Sequence, residues 1–131
     1  MSSLSQIYSY WSGNSTLTGA IPTSSLWIGR APQTSTYPFA ILNEISNETT
    51  YTSGQPVLLA TRFQVSLYGK EDLASLEAKA DTIDSQFDRV QITFSSLLCY
   101  QVNRFSQAMD MQPDYFVYQV LLEYLWLQNA T

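Results

Sequence analysis

The segment from Tyr115 to Leu127 constrains the fold of this 131-residue chain more than any other. Its alternate residues form one unbroken apolar face, made of Phe116, Tyr118, Val120, Leu122, Tyr124 and Trp126. The opposite face is also largely apolar, and only Gln119 and Glu123 interrupt it. Successive side chains of a strand point to opposite faces of a sheet. A strand that is apolar on both faces is central in its sheet or meets a partner, so we expect a sheet built around this segment.

A helix is predicted over about Glu71 to Arg89. Its apolar residues recur at spacings of 3, 4, 3 and 4 and are Leu73, Leu76, Ala80, Ile83 and Phe87. This spacing places them in one stripe on a helix of 3.6 residues per turn. Acids in the first turn and Arg89 in the last have the signs that the helix macrodipole favours. We therefore expect this helix to pack on the sheet.

The other segments complete an α+β pattern. Phe39 to Thr50 and Val57 to Tyr68 alternate as strands around the turn chemistry of YTSGQP, which predicts a β-hairpin long enough to project from a small domain. The remaining expected elements are an N-terminal helix over 3–12, a loop over 14–25, a short strand over 26–29, a loop to Pro38, a strand over 97–104, and a polar loop, SQAMDMQPD. The predicted fold class is one antiparallel sheet with a long β-hairpin, packed on one face by a central amphipathic helix and a short N-terminal helix, in a single domain over residues 1–131.

The charge of the chain argues against nucleic-acid binding. The formal net charge is -5, and six Lys and Arg residues are spread over the whole sequence. A nucleic-acid binder needs a basic patch to neutralise phosphates. The N-terminus has no basic and apolar leader pattern, and no apolar stretch approaches the 18 residues of a membrane span, so we expect neither export nor membrane association. The single cysteine, Cys99, lies in an apolar run and is expected in the core of a cytoplasmic protein.

Residue types also limit the chemistry. The chain has no histidine, which removes the commonest general base and most zinc sites. Asp81, Asp84 and Asp88 share one helix face and could in principle bind a divalent cation, but they lie off the apolar stripe, where an amphipathic helix is expected to be solvated. Arg30, Arg62 and Arg104 could join anion contacts, but each is isolated in sequence, so we expect structural ion pairs or salt bridges between subunits of an oligomer. No catalytic, cofactor-binding or metal-binding residue is predicted, and an enzyme is not expected.

A binding role is better supported, because aromatic residues occur on both faces of the predicted elements and in loops. Tyrosine and tryptophan are enriched at protein interfaces. The long hairpin and the two-faced last strand are the segments where subunit contacts are expected. The candidate interface residues are Asn47, Tyr51, Gln55, Arg62, Tyr68, Tyr115, Gln119 and Glu123.

The order of segments resembles a known family. A short N-terminal helix is followed by YPFAIL (37–42), NEISNETT, a TRFQVSLYG strand, a DLASLEAKADTIDSQF helix, a strand ending in VNRFS, an acidic loop and a closing FVYQVLLEYLW strand. From about Thr16 to Trp126 the chain resembles the small tail-completion, or tail-terminator, proteins of long-tailed bacteriophages and prophages. The resemblance rests on the order of the segments and on the general residue pattern of each, and it includes no invariant motif.

This resemblance implies a structural virion protein without catalytic residues, located in the tail or neck and assembled in the bacterial host cytoplasm. Such proteins form a homohexameric ring that caps the tail tube, stops its growth and faces the head connector. The implied partners are further copies of the chain, the tail tube protein, the head-closure or connector protein and the tape-measure protein. By resemblance, the hairpin around Asn43 to Arg62 and the last strand would lie at ring or tube contacts. A homohexamer would carry a formal charge of about -30, so DNA would pass through the ring without specific binding.

Three alternatives remain open from the sequence. A neck adaptor or head-closure protein of the same particle would face the portal ring instead of the tube. A small cytoplasmic ligand-binding α+β domain would hold Arg30, Arg62 or Arg104 in a hydrophobic pocket. A metal-dependent hydrolase would need the three helical aspartates to converge with a fourth carboxylate.

Overall fold

The structure is a computed structural model that describes residues 3–32, 36–70, 72–91, 98–112 and 115–129. The helices in these ranges are α1 (Ser3–Ser12), α2 (Ser15–Ala20) and α3 (Leu73–Phe87), with a 3₁₀ turn at Thr23–Ser25. The strands are β1 (Leu26–Ile28), β2 (Phe39–Thr52), β3 (Gln55–Gly69), β4 (Val90–Gln91), β5 (Leu98–Gln112) and β6 (Tyr115–Asn129).

The strands form a single sheet in the order β1-β2-β3-β6-β5-β4. The strand that is apolar on both faces, β6, lies between β3 and β5 and is therefore central, as its sequence predicts. The predicted α+β class is confirmed, with one refinement. The first strand runs parallel to β2, with Leu26 beside Ala40, so the sheet is mixed. β2 therefore begins at the same end of the sheet as β1.

The helices cover one face of the sheet. In α3, Leu76, Ala80, Ile83 and Phe87 are buried, and Leu73 packs against the core from its rim, as the spacing predicts. The side chains that the sheet contributes to this core include Leu42, Phe63, Val65, Leu67, Val120, Leu122, Tyr124 and Trp126. Ile7 and Trp11 of α1 complete the core from the N-terminal side.

Two long hairpins turn at opposite ends of the sheet. The predicted β2–β3 hairpin is confirmed, and its turn at Ser53 and Gly54 has positive φ at both residues (52° and 79°), as a two-residue hairpin turn of the mirror-image type requires. The second hairpin, β5–β6, was not predicted. The prediction of a polar loop over SQAMDMQPD (106–114) is wrong for residues 106–112, which are the described part. There β5 continues to Gln112, which pairs with Tyr115 of β6. Its strand structure comes from backbone hydrogen bonds to the neighbouring strand, which polar side chains do not prevent.

The expectation of a loop over 14–25 is also wrong, since this stretch contains α2 and the 3₁₀ turn. The Asn14 side chain caps α2, and its Oδ1 accepts hydrogen bonds from the backbone N–H groups of Thr16 (3.0 Å) and Leu17 (3.1 Å). Leu17 is fully buried and anchors the helix to the core. Ile21, which follows the helix, is also fully buried, so a capping residue and two buried side chains order this Ser/Thr-rich segment.

Replacing Asn14 with alanine is expected to lower the free energy of unfolding by about 1–2 kcal/mol. The variant loses the cap, and it also loses the donor that binds Gln86 Oε1 at 3.0 Å and thereby links α2 to the end of α3. Urea denaturation monitored by circular dichroism measures the difference. Asn14→Asp is the control, because it keeps the capping oxygen and removes the amide donor, and the negative charge that it adds is favourable at a helix N-terminus. Equal losses in the two variants would show that the cap contributes nothing.

Candidate functional site

The face of the sheet opposite the helices carries a mixture of apolar and polar side chains, and we call it the open face. Alternation along the strands and the register between them assign its members. Its principal side chains are Trp27, Phe39, Ile41, Arg62, Gln64, Tyr68, Gln119, Leu121, Glu123, Leu125 and Leu127. Most of them are half-buried, because each is shielded by its neighbours in the sheet. In the described part of the chain the helices pack on the other face.

Four of the predicted interface residues lie together on the open face, in two cross-strand pairs. Arg62 Nη1 donates to Glu123 Oε2 at 3.2 Å in an ion pair that solvent reaches on both sides. Gln119 Nε2 donates to the Tyr68 hydroxyl at 3.0 Å, and these two residues are directly opposite in the register. Partly exposed ion pairs contribute about 0–1 kcal/mol, so the arginine and glutamate shape the polarity of the face more than its stability.

The other four predicted interface residues lie on the two hairpins. Asn47 is exposed on β2, where it pairs with Thr61 of β3. Tyr51 and Gln55 have backbone positions beside the β2–β3 turn, and Tyr115 starts β6 at the opposite end of the sheet. The side chains of these last three lie outside the described part of the structure. The predicted set is thus divided between the open face and the two hairpin ends.

An aromatic row lies on the open face, and of its three residues, Tyr37, Phe39 and Tyr68, only Tyr68 was among the predicted interface residues. The rings of Tyr37 and Phe39 are 5.1 Å apart, and Phe39 stacks on Tyr68 at 5.1 Å. The Lys70 ammonium lies 4.6 Å above the centre of the Tyr37 ring, an arrangement that is electrostatically favourable. The parity of Phe39 within its strand was a usable signal, but its neighbour Tyr68 comes from another strand and could not be assigned without the register.

The carboxylates of α3 tie the helix to the sheet. Arg104 of β5 forms an ion pair with the exposed Asp81. Asp84 Oδ1 accepts a hydrogen bond from the Tyr124 hydroxyl at 2.8 Å, and Asp88 Oδ1 accepts one from the backbone N–H of Gln101 at 2.8 Å. The expected solvated face therefore describes Asp81 better than the half-buried Asp84 and Asp88. Within the described residues, no group of three or more His, Cys, Asp and Glu side chains is placed to hold a metal ion.

Two buried groups near these carboxylates are held in their neutral forms. Burial raises the pKa of the Cys99 thiol, and the charges of Asp88 and Asp84 raise it further. Burial also raises the pKa of the Tyr124 hydroxyl, and its hydrogen bond to Asp84 adds to the effect. The thiolate is the nucleophilic form of cysteine, so a thiol kept protonated here serves packing, as its apolar sequence context predicts.

A shallow groove runs between α2 and α3. Its lining consists of Thr16, Gly19, Ala20, Ser75, Ala78, Lys79 and Thr82. Lys79 Nζ donates to the backbone carbonyl of Ala20 at 3.4 Å and so bridges the two helices. The arginines expected in the pocket of a ligand-binding domain do not line this groove. Apart from Lys79, the side chains that do are small and uncharged.

Membrane insertion through a helix finds no support in the described ranges, where every helix is too short or too polar to cross a bilayer.

Comparison with known proteins identifies a shared fold. No protein-family profile matches the chain, and no curated protein sequence does. A chain in the solved structure described as "Virion of native gene transfer agent (GTA) particle" superposes with a TM-score of 0.72. The superposition covers 95% of this chain and 92% of that chain, at 10% sequence identity. At this identity the likeness establishes the fold, and function has to be argued separately.

Proposed function

We propose that this chain is a structural protein of a phage-like particle and, within it, a tail terminator. The protein forms a homohexameric ring that caps the tail tube, ends tube growth and joins the tail to the head connector. The observation that carries the proposal is the end-to-end likeness of fold to a chain of a gene transfer agent virion. The order of its segments, which resembles that of tail terminators, supports the more specific role.

The surfaces of the molecule suit assembly better than catalysis. The open face offers aromatic and aliphatic side chains around two polar pairs, the Arg62–Glu123 ion pair and the Tyr68–Gln119 hydrogen bond. Protein interfaces likewise combine apolar and aromatic area with scattered hydrogen-bonding groups. The long β2–β3 hairpin, which is paired from Phe39 and Tyr68 to its turn, adds further strand surface. Such extended surfaces favour contact with other subunits.

The proposed partners are further copies of the chain, the tail tube protein, the head-closure or connector protein and the tape-measure protein. The place of action is the tail or neck of the virion, after assembly in the bacterial host cytoplasm. DNA would pass through the ring without specific binding, because each subunit contributes a net charge of -5 and like charge keeps phosphates from adhering.

The test is a mass and binding measurement with tail tubes assembled from the major tail protein of the same gene cluster. We expect the chain to sediment with the tubes, and electron microscopy to show a ring at one tube end whose mass is six times 14.8 kDa. A chain that stays monomeric and never sediments with tubes would argue strongly against the proposal. Binding to the portal or connector ring, with no binding to tube ends, would favour the neck-adaptor alternative.

A further inference from the structure

The exposed apolar surface of the described residues is concentrated on the outer strands of the sheet. Five large hydrophobic side chains are between 40% and 47% exposed, and they are Ile28, Ile45, Tyr100, Val102 and Phe105. The first two lie on β1 and β2, at one side of the sheet, and the other three lie on β5, at the opposite side. Single exposed apolar residues are ordinary, but a clustered set is typical of a contact surface.

The same two sides of the sheet also offer backbone hydrogen-bonding groups. We call Tyr100–Gln112 of β5 the β5 edge, because β4 pairs with β5 only at Leu98 and Cys99 in the described ranges. The backbone N–H of Gln101 already donates to Asp88 Oδ1, so a docking strand would pair with the edge beyond that residue. We call Asn43–Thr52 of β2, together with Ile28 beside it, the β2 edge, because β1 pairs with β2 only over Ala40–Leu42. Long strand edges of this kind are templates for another strand, and proteins usually shorten them or place charges on them. The described exposed side chains of the β5 edge include three large apolar ones and no charged one.

We propose that the β5 edge of one copy docks against the β2 edge of a second copy, so that the sheet continues from subunit to subunit. A strand with exposed apolar side chains would be complementary to each edge. The chain itself has such a strand at the opposite edge of its sheet. Strand addition supplies backbone hydrogen bonds, and the apolar side chains supply buried area. The inference deepens the proposed ring and rests on it for its biological setting.

Contact between opposite edges determines the kind of assembly. A head-to-tail contact leaves one free edge of each kind after every addition, and it closes into a ring when the rotation permits. A contact between two identical edges would stop at a dimer and leave the other apolar edge exposed. For two β2 edges it would also bring the exposed Glu44 and Glu48 of both copies together, and like charges on paired strands are destabilising.

The test uses one charge variant in each edge, Ile45→Lys and Phe105→Lys, studied by sedimentation velocity. Both side chains are exposed, so each variant should keep the circular dichroism spectrum and melting temperature of the wild type. We expect the wild type to self-associate and each variant alone to associate with a dissociation constant higher by about tenfold or more. An equimolar mixture should form a heterodimer and nothing larger, since one intact β5 edge and one intact β2 edge remain between the two variants. Ala74→Lys, at an exposed position of α3, is the control and should behave as the wild type.

Several outcomes would overturn the inference. One variant that still forms homodimers would reveal contact between identical edges. Wild-type protein that is monomeric at the highest soluble concentration, or a variant mixture that forms no heterodimer, would also exclude the head-to-tail contact. Failure of the proposed function looks different: a wild-type ring that depends on both edges but does not bind tail tubes would keep this inference and remove the tail-terminator role.

Discussion

Replacing Phe87 with alanine is expected to lower the free energy of unfolding by about 3–5 kcal/mol. The side chain is fully buried where α3 meets the sheet and α1. Its ring lies within 6 Å of four others, at centroid distances of 5.4 Å to Tyr124, 5.5 Å to Tyr10, 5.7 Å to Phe63 and 5.8 Å to Trp11. Truncation removes these contacts together and leaves a cavity between rigid elements that cannot close around it. Since domains are stable by about 5–15 kcal/mol, the variant should be close to unfolding at room temperature.

The matched control is Leu73→Ala, at the first position of the same helical stripe. Leu73 is only half-buried, so its truncation should cost roughly 1 kcal/mol, a fraction of the transfer energy of a fully buried leucine. Guanidinium denaturation followed by tryptophan fluorescence reports on both variants, because Trp11 and Trp126 lie in the same core. If Phe87→Ala cost no more than Leu73→Ala, the aromatic cluster would not be the centre of the core.

The sequence predicts those elements in which the spacing of the apolar residues matches the repeat of the helix or strand. Leu76, Ala80, Ile83 and Phe87 are buried on one side of α3 because the apolar stripe repeats with the helix. The central position of β6 follows in the same way, since its odd and even residues are both largely apolar and a strand of that kind needs cover on both faces.

The elements that the sequence does not predict depend on partners rather than on their own pattern. The end of β5 is polar, and it is a strand because its backbone pairs with β6. The helix α2 is short and rich in Ser and Thr, and the cap from Asn14 and the burial of Leu17 hold it in place. The parallel direction of β1 could not be predicted, because side chains alternate in the same way in parallel and antiparallel strands.

In the candidate site, too, the sequence predicts which residues share a face but not which residues are in contact. Alternation alone predicts that Arg62 shares a face with Tyr68, and Gln119 with Glu123. It cannot predict the Arg62–Glu123 or Tyr68–Gln119 contact, because alternation carries no information on the register between two strands that are far apart in the sequence. Likewise, the spacing of the acids of α3 shows a shared helix face, but the bond between Asp84 and Tyr124 depends on how the helix sits on the sheet.

The free energy of unfolding is expected to fall as pH rises above about 8.5, the ordinary pKa of a cysteine thiol. Burial raises the pKa values of Cys99 and Tyr124 in the folded protein, so both groups keep their protons there. In the unfolded chain the thiol ionises near pH 8.5 and the tyrosine near pH 10. The unfolded state then binds fewer protons than the folded state, and stability decreases with pH. Their contribution is fully present below the unfolded pKa values, and it is lost at about 1.4 kcal/mol per pH unit for each group that ionises only on unfolding.

Two variants separate the contributions of the thiol and the phenol to this alkaline loss. Cys99→Ala should reduce the decline between about pH 8.5 and 10, where only the thiol ionises on unfolding, and Tyr124→Phe should reduce it above about pH 10. Tyr10 adds a further loss of the same sign in all these proteins, because burial raises its pKa too. Urea denaturation from pH 7.5 to 11 gives the slopes, which are compared with the wild type rather than with zero. A wild-type slope unchanged by Cys99→Ala would mean that the thiol titrates equally in both states. The thiol would then be accessible to water in the folded protein. In that case α3 would pack against β5 more loosely than the hydrogen bond from the backbone N–H of Gln101 to Asp88 implies.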